Sequence, residues 1–198
     1  VNSFSTDVSP PAVAEYQIDL STSQIILTFD EAIKYDSVDV SQVVIQEFVK
    51  RAQGHHILLS NCTTLSDSGV QSVYLYITLD ADTAAFMKFY GIASNNVSSW
   101  LSFSDTFVSD NMGTYAQPKW DGSIFGYTPL SPNSYTADIV APGVSSWLLD
   151  RSNDFLVIKF NEPVTINNSS RIYISDRNTI SECGAAYSRL SALFNDSA

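Results

Sequence analysis

The sequence predicts an all-β protein, a two-sheet β-sandwich with one short helix that recurs in tandem. Hydrophobic residues make up 44% and aromatic residues 12% of the 198 residues, which is enough to fill a packed core. Short segments alternate apolar and polar residues, the pattern of half-buried strands. The chain also repeats itself 131 positions further on.

The internal repeat matches Pro, Asp, Phe and Glu residues at one fixed offset without a gap. The matching segments are Asn2–Asp7 with Asn133–Asp138, Pro11–Asp19 with Pro142–Asp150, and Ile25–Ile33 with Leu156–Val164. We therefore predict that residues 1–6 are the tail strand of a preceding repeat. Residues 7–137 would form one complete repeat, and residues 138–198 the first half of a second.

Strand patterns dominate the first repeat. Residues 16–29 predict a hairpin, because an alternating run, a polar turn and a β-branched apolar run follow one another. Polar or Gly-, Pro- and Asn-rich stretches at 60–69 and 110–134 predict loops. Strands at this spacing are typical of a two-sheet sandwich. Further strands are predicted at 43–45, 73–79, 100–103 and 106–108.

Residues 81–90 predict the short helix. The segment follows Asp80, contains Asp82 and two alanines, and closes at Gly91, which are helix start and stop signals. We expect the aromatic side chains of the strands and of this helix to pack in the core.

The charge of the chain excludes several partners. Ten Lys and Arg against 21 Asp and Glu give a net charge of −11, so nucleic acid and anionic membrane surfaces are not expected to bind. No apolar run reaches the roughly 18 residues of a membrane span. Few charges with many hydroxyls indicate an extracellular, secreted or cell-surface β-protein.

Enzymatic chemistry is not predicted. His55 and His56 are neighbours on a polar segment, and adjacent strand residues point to opposite faces. The pair Asp30-Glu31 recurs in the second repeat as Asn161-Glu162. Because the aspartate is not kept, the pair is not expected to act as acid and base in both repeats. Tandem extracellular β-domains often bind Ca²⁺ at their junctions through clustered oxygen ligands, and calcium there stays an open alternative. The junction near Asp138 holds one carboxylate, and Glu31 and Glu162 would reach it only through the fold, so no metal ligand is assigned. We therefore predict no catalytic residue, no metal site and no cofactor.

Cys62 and Cys183 are too few and too far apart for a zinc site. A disulfide between them and two buried thiols both remain open. They are not equivalent positions of the repeat, so a bridge would join one repeat to the next.

N-linked glycosylation has the clearest local signal. Five Asn-x-Ser/Thr motifs fall in predicted loops, where a bulky sugar fits. They begin at Asn61, Asn96, Asn167, Asn168 and Asn195. Glycans on the adjacent Asn167 and Asn168 would compete.

Several segments together resemble an Ig-like, cadherin-like tandem repeat. They are Asp138–Pro142, Trp147–Asp150, Leu156–Val164, the stretch from Ile77 to Ser102, and Val108–Gly113, where the family's usual Asn does not follow Gly113. This repeat occurs in large secreted and surface proteins of algae and other protists, including proteins similar to those of flagellar hairs (mastigonemes). The resemblance implies an Ig-like antiparallel β-sandwich with a structural or adhesive extracellular role, and it carries no catalytic residues to transfer.

The expected function is that of a structural repeat in an extracellular glycoprotein filament or cell coat. Half a sandwich would expose an apolar face bearing Trp147, Leu149, Leu156, Ile158 and Phe160. We therefore expect residues 1–6 or 139–198 to pack against neighbouring copies or adjacent repeats, head to tail. The alternatives are an adhesion or ligand-binding ectodomain and, with further sequence, an accessory part of a carbohydrate-active enzyme.

Overall fold

The computed structural model describes residues 8–65, 71–120, 128–153, 155–162, 164, 173–175 and 187–189. The chain divides into two compact units, Val1–Gly143 and Val144–Ala198. Most of the described residues with regular structure lie in β-sheets, as predicted. The strands are β1 Val13–Asp19, β2 Gln24–Lys34, β3 Val43–Gln46, β4 His56–Leu58, β5 Thr63–Leu65, β6 Gln71–Thr78, β7 Trp100–Phe103, β8 Ser134–Thr136, β9 Val144–Asp150, β10 Phe155–Phe160, β11 Tyr173–Ser175 and β12 Tyr187–Arg189, and the α-helix is α1 Ala81–Tyr90.

The larger sheet of the first unit has the strand order β5-β6-β2-β1-β8. Alternate residues of the β1–β2 hairpin point inward, so Tyr16, Ile18, Ile25 and Leu27 are fully buried. Strand β8 pairs with β1 in the parallel direction. The prediction of a wholly antiparallel sandwich is therefore wrong at this edge, because β8 reaches β1 through a long connection and not through a hairpin.

The smaller sheet has the order β4-β3-β7 and supplies the other side of the core. Val43 and Ile45 of β3 and Leu101 and Phe103 of β7 belong to the same buried cluster as the inward residues of the larger sheet. One hydrophobic core thus lies between two sheets, which makes the first unit sandwich-like.

Most predicted elements are present, and some local assignments were wrong. The hairpin, the strands near 43–45, 73–79 and 100–103, and the helix at 81–90 are confirmed. Residues 106–108 are not a strand: Asp105–Phe107 form a 3₁₀ turn that buries the Phe107 ring. Strand β5 lies in the stretch 60–69 that was predicted as a loop, because a short edge strand with polar side chains lacks an apolar pattern. Strand β8 overlaps the predicted loop 110–134 only at Ser134.

The second unit contains the hairpin β9–β10 and the pair β11–β12. Trp147 pairs with Ile158 as Tyr16 pairs with Leu27 in the first unit. Both hairpins carry a β-bulge at the same place, with Ala14 and Ser145 as the extra residues. The two hairpins therefore share one register at the 131-residue offset, bulge included.

The faces of the second hairpin are less covered than those of the first. Leu148 and Val157 are exposed on one face, and Trp147 is exposed on the other, while Leu149 and Leu156 are half-buried. Residues 1–6, predicted as a tail strand, lie outside the described residues, so that assignment stays a prediction.

Candidate functional site

Helix α1 begins and ends with well-formed caps. The Asp80 Oδ1 atom accepts hydrogen bonds from the backbone N–H groups of Asp82 and Thr83, each at 3.0 Å. Gly91 ends the helix in the left-handed conformation, with φ of 70°, which favours glycine. These caps fix where the ten-residue helix begins and ends.

The outer side of α1 carries exposed aromatic rings. We call the cluster of Phe86, Phe89, Tyr90 and His55 the aromatic surface. Tyr90 is its centre, with ring centroids 4.4 Å from Phe86, 4.8 Å from Phe89 and 4.5 Å from His55. The side chain of Phe89 is 72% exposed, and Phe86 and Tyr90 are partly exposed. The aromatic surface is thus a continuous apolar patch open to solvent on the first unit.

The expectation that the helix aromatics pack in the core was wrong. Thr83 and Met87, one turn apart, form the buried side of α1. The aromatic residues occupy the remaining positions and therefore face outward. The i, i+4 spacing of Thr83 and Met87 indicates one helix face and could have identified the buried side. The aromatic residues were instead assigned to the core because they are larger and more apolar.

The two histidines have different surroundings, because His55 precedes β4 and His56 is the first residue of that strand. The His55 Nδ1 atom lies 3.5 Å from the Glu47 Oε2 atom, and the same carboxylate accepts the His55 backbone N–H at 3.2 Å. His56 lies in β4 and pairs with Gln46 of β3. The side chain of His55 therefore contributes to the aromatic surface, whereas His56 contributes to the backbone pairing of β4 with β3.

Cys62 is buried beneath the start of α1. Its Sγ atom lies 3.7 Å from the Asp80 Oδ2 atom, and burial raises the pKa of the thiol. Cys183 lies outside the described residues, so the predicted pairing of the two cysteines stays a prediction. A buried thiol with a raised pKa is a poor nucleophile.

Two of the five glycosylation motifs fall on described residues, and both asparagines are exposed. Asn61 lies in the turn between β4 and β5. Asn96 opens a 3₁₀ turn whose cap is the neighbouring Asn95, which accepts the backbone N–H groups of Val97 and Ser98. The capping role of Asn95 leaves the Asn96 amide at the surface. The motifs at Asn167, Asn168 and Asn195 lie outside the described residues.

The carboxylates that the sequence singled out have structural partners. Asp110 is buried, and its Oδ1 atom accepts the backbone N–H groups of Met112 and Thr114 at 2.8 and 2.7 Å. Asp138 forms an ion pair with Lys88, which lowers the pKa of the carboxyl. Across the described part of the chain, no group of three or more His, Cys, Asp or Glu residues is placed to hold a metal ion.

The described residues form a β-rich, sandwich-like fold, and the aromatic surface is exposed on its first unit. Comparison with protein-family models, with curated proteins and with solved structures gives no match. None of the helices in the described segments is long and apolar enough to cross a membrane.

Proposed function

We propose that this chain is a structural repeat segment of an extracellular glycoprotein filament or cell-surface coat. It would be Ig-like and would assemble head to tail with neighbouring copies or adjacent repeats of the same protein. The observation that carries the proposal is the agreement of the two hairpins in register and bulge, residue for residue. Such agreement is what a tandem array of one structural unit requires.

The turns of the two hairpins add independent support. Asp19 Oδ1 accepts the Ser21 backbone N–H at 2.9 Å and the Ser21 hydroxyl at 2.6 Å. Asp150 Oδ1 accepts the Ser152 backbone N–H at 2.8 Å and the Ser152 hydroxyl at 2.5 Å. The Ser152 hydroxyl is the largest cause that lowers the pKa of Asp150, to about 2. The same turn chemistry at both sites favours repetition of a structural element.

Surface chemistry favours an extracellular setting for that element. Asn61 and Asn96 are exposed and sit in turns, where attached sugars would not disturb the sheets. A net charge of −11 with few basic residues keeps neighbouring surfaces hydrated and disfavours nucleic acid.

Electron microscopy of the native material tests the proposal. We expect extended filaments or a surface coat with a regular axial repeat, labelled along its length by antibodies raised against this chain. Antibodies against an unrelated secreted glycoprotein provide the control. Labelling confined to isolated, unconnected particles would contradict a structural role.

The second candidate function is that of an adhesion or ligand-binding ectodomain, and the aromatic surface favours it. Exposed aromatic residues are enriched where proteins bind partners. Phe89→Ser would remove the most exposed ring of that surface, and Leu65→Ser, exposed elsewhere on the same unit, is the matched control. If the chain is an adhesin, Phe89→Ser lowers attachment of the chain to cells of its source and Leu65→Ser does not. Equal attachment of both variants would contradict adhesion through this surface.

A further inference from the structure

The rings of the aromatic surface lie against one another and turn their outer faces to solvent. Phe86, Phe89 and His55 each contact Tyr90, with ring centroids between 4.4 and 4.8 Å apart. A cation held between two rings needs them about 7 Å apart, twice a van der Waals contact distance, so none of these pairs encloses one. The ring of Phe89 stands at 83° to that of Tyr90 and is the most exposed of the three helix aromatics. It therefore offers a flat face on which a ligand can stack.

Carboxylates lie next to these rings. The Glu47 Oε2 atom is 3.5 Å from the Nδ1 atom of His55, and the Glu47 side chain is partly exposed. Asp82 is exposed one helical turn before Phe86, at the i, i+4 spacing that places two side chains on one face of a helix. Two negative charges thus border the exposed aromatic rings.

The end of α1 adds to this negative potential. Phe89 and Tyr90 are the last two residues of α1, where the helix dipole carries a partial negative charge that favours cations. Lys88, the one basic residue of α1, forms an ion pair with Asp138, so a carboxylate compensates its charge. The aromatic surface is therefore complementary to a cation, and the net charge of −11 attracts basic partners from a distance.

The area of the aromatic surface limits what can occupy it. An aromatic side chain has about 150–250 Å² of surface to bury, so the exposed fractions of Phe86, Phe89 and Tyr90 amount to roughly 300 Å². A stable interface between two proteins buries about 800 Å² on each partner. These rings alone are therefore too small an interface for a dimer of this chain, but their area fits a few side chains of an extended segment.

We propose that the aromatic surface binds an arginine side chain from a basic segment of a partner protein. The planar guanidinium stacks on the exposed face of Phe89, where the quadrupole of the ring attracts a cation. The carboxylates of Glu47 and Asp82 attract the guanidinium and neighbouring basic residues of the segment. Arginine fits better than lysine, because an ammonium is a compact and strongly hydrated charge. The inference rests on the second candidate function, binding through this surface, and specifies the chemistry of the partner.

Short peptides that differ in one type of side chain test the proposal. Glycine peptides with arginine, lysine or citrulline are titrated against the isotopically labelled full chain, and binding is followed by NMR. Citrulline keeps the planar shape of arginine but carries no charge. The arginine peptide should shift the amide signals of Phe89, Tyr90 and Gly91. We expect the lysine peptide to bind about twofold more weakly and the citrulline peptide about fivefold or more.

Variants of the chain locate the binding. Phe89→Leu removes the ring but keeps an apolar side chain, and it should weaken binding of the arginine peptide about threefold. Asp82→Asn should weaken it about twofold at low salt and less at high salt. Tyr115→Leu and Asp36→Asn are the matched controls, since they remove an exposed ring and an exposed charge elsewhere. Both control residues lie near the C-terminal end of β2, whereas α1 follows the strand that pairs with its N-terminal end.

Equal binding of the arginine peptide and either other peptide, or equal losses in Phe89→Leu and Tyr115→Leu, would overturn the inference. Self-association in sedimentation velocity that Phe89→Leu abolishes would also overturn it, because a second copy would then occupy the surface. Weaker cell attachment of Phe89→Ser without arginine binding would reject this partner chemistry and leave adhesion through the surface standing. Arginine binding that depends on Phe89, with unchanged cell attachment, would support the arginine site and contradict adhesion.

Discussion

Trp147 occupies in the second hairpin the position that Tyr16 occupies in the first, yet their exposures are opposite. Tyr16 pairs with Leu27 and is 1% exposed, whereas Trp147 pairs with Ile158 and is 69% exposed. The strand register is therefore a property of the hairpin alone. Burial depends on what packs over the hairpin, which in the first unit is the second sheet, and the Tyr135 side chain of the edge strand β8 also packs against that core.

The buried Tyr16 hydroxyl yields the first prediction. Among the described residues it has no hydrogen-bond partner, and burial raises the pKa of this hydroxyl. A buried polar group without a partner costs about 1–3 kcal/mol. Tyr16→Phe should therefore leave the free energy of unfolding unchanged or raise it by about 1 kcal/mol. Urea denaturation measures this, with Tyr135→Phe at the partly exposed edge as the control. A clear loss of stability in Tyr16→Phe would show that the hydroxyl has a partner.

The orientation of α1 is tested by truncating one residue on each side. Met87 is 1% exposed and Phe89 is 72% exposed. Met87→Ala should lower the free energy of unfolding by about 2–5 kcal/mol, because it opens a cavity in the core. Phe89→Ala should change it by about 0.5 kcal/mol or less, since surface substitutions have small effects. The reverse order in thermal or urea unfolding would mean that the helix is rotated.

The helix cap Asp80 yields a prediction with a pH dependence. Its hydrogen bond from the Thr83 side chain is the largest cause that lowers the pKa of this carboxyl. A lowered folded-state pKa adds stability above the unfolded aspartate value, about 3.9, and that stability disappears as pH falls through the folded value. Asp80→Ala should cost about 1 kcal/mol at neutral pH. Asp80→Asn should keep most of the cap and flatten the acid limb of the stability profile. An unchanged acid limb in Asp80→Asn would contradict this account.

Asn133 forms two hydrogen bonds with the Tyr16 backbone, which we call the clasp, and the clasp should contribute measurably to the stability of the first unit. Asn133→Ala removes the acceptor of the Tyr16 N–H and should lower the free energy of unfolding by about 1–2 kcal/mol. Asn133→Asp keeps an acceptor oxygen and should retain most of that stability. Hydrogen exchange at the Tyr16 amide gives a local readout, and equal protection in both variants would refute the role of the clasp.

Glycosylation is tested on protein from its natural source. We expect N-linked glycans on at least two of Asn61, Asn96, Asn168 and Asn195, because the sequence predicts loops at these motifs and we propose an extracellular function. Mass spectrometry before and after enzymatic removal of N-glycans should show the added mass and convert the modified asparagines to aspartate. A native mass equal to that of the bare polypeptide would refute the prediction.

Local patterns were sufficient for much of the fold. The alternation in residues 16–29 predicted the hairpin, and Asp80 with Gly91 predicted the helix at its observed bounds. Both signals act within a few residues, so they are visible without tertiary contacts. The three-residue strands β4 and β5 were missed, because their own residues show no alternation of apolar and polar side chains. Backbone pairing with β3 and β6 places them in the sheets.

By itself, the sequence determined the 131-residue offset, the hairpin registers it implies, the negative charge and the surface positions of the motifs at Asn61 and Asn96. Tertiary structure decided which side of α1 is buried, that β8 joins β1 in parallel, and that Cys62 lies beneath Asp80. Those features depend on contacts between residues far apart in the chain. Tyr16 and Asn133, for example, meet across more than a hundred residues, and no local periodicity encodes such a meeting.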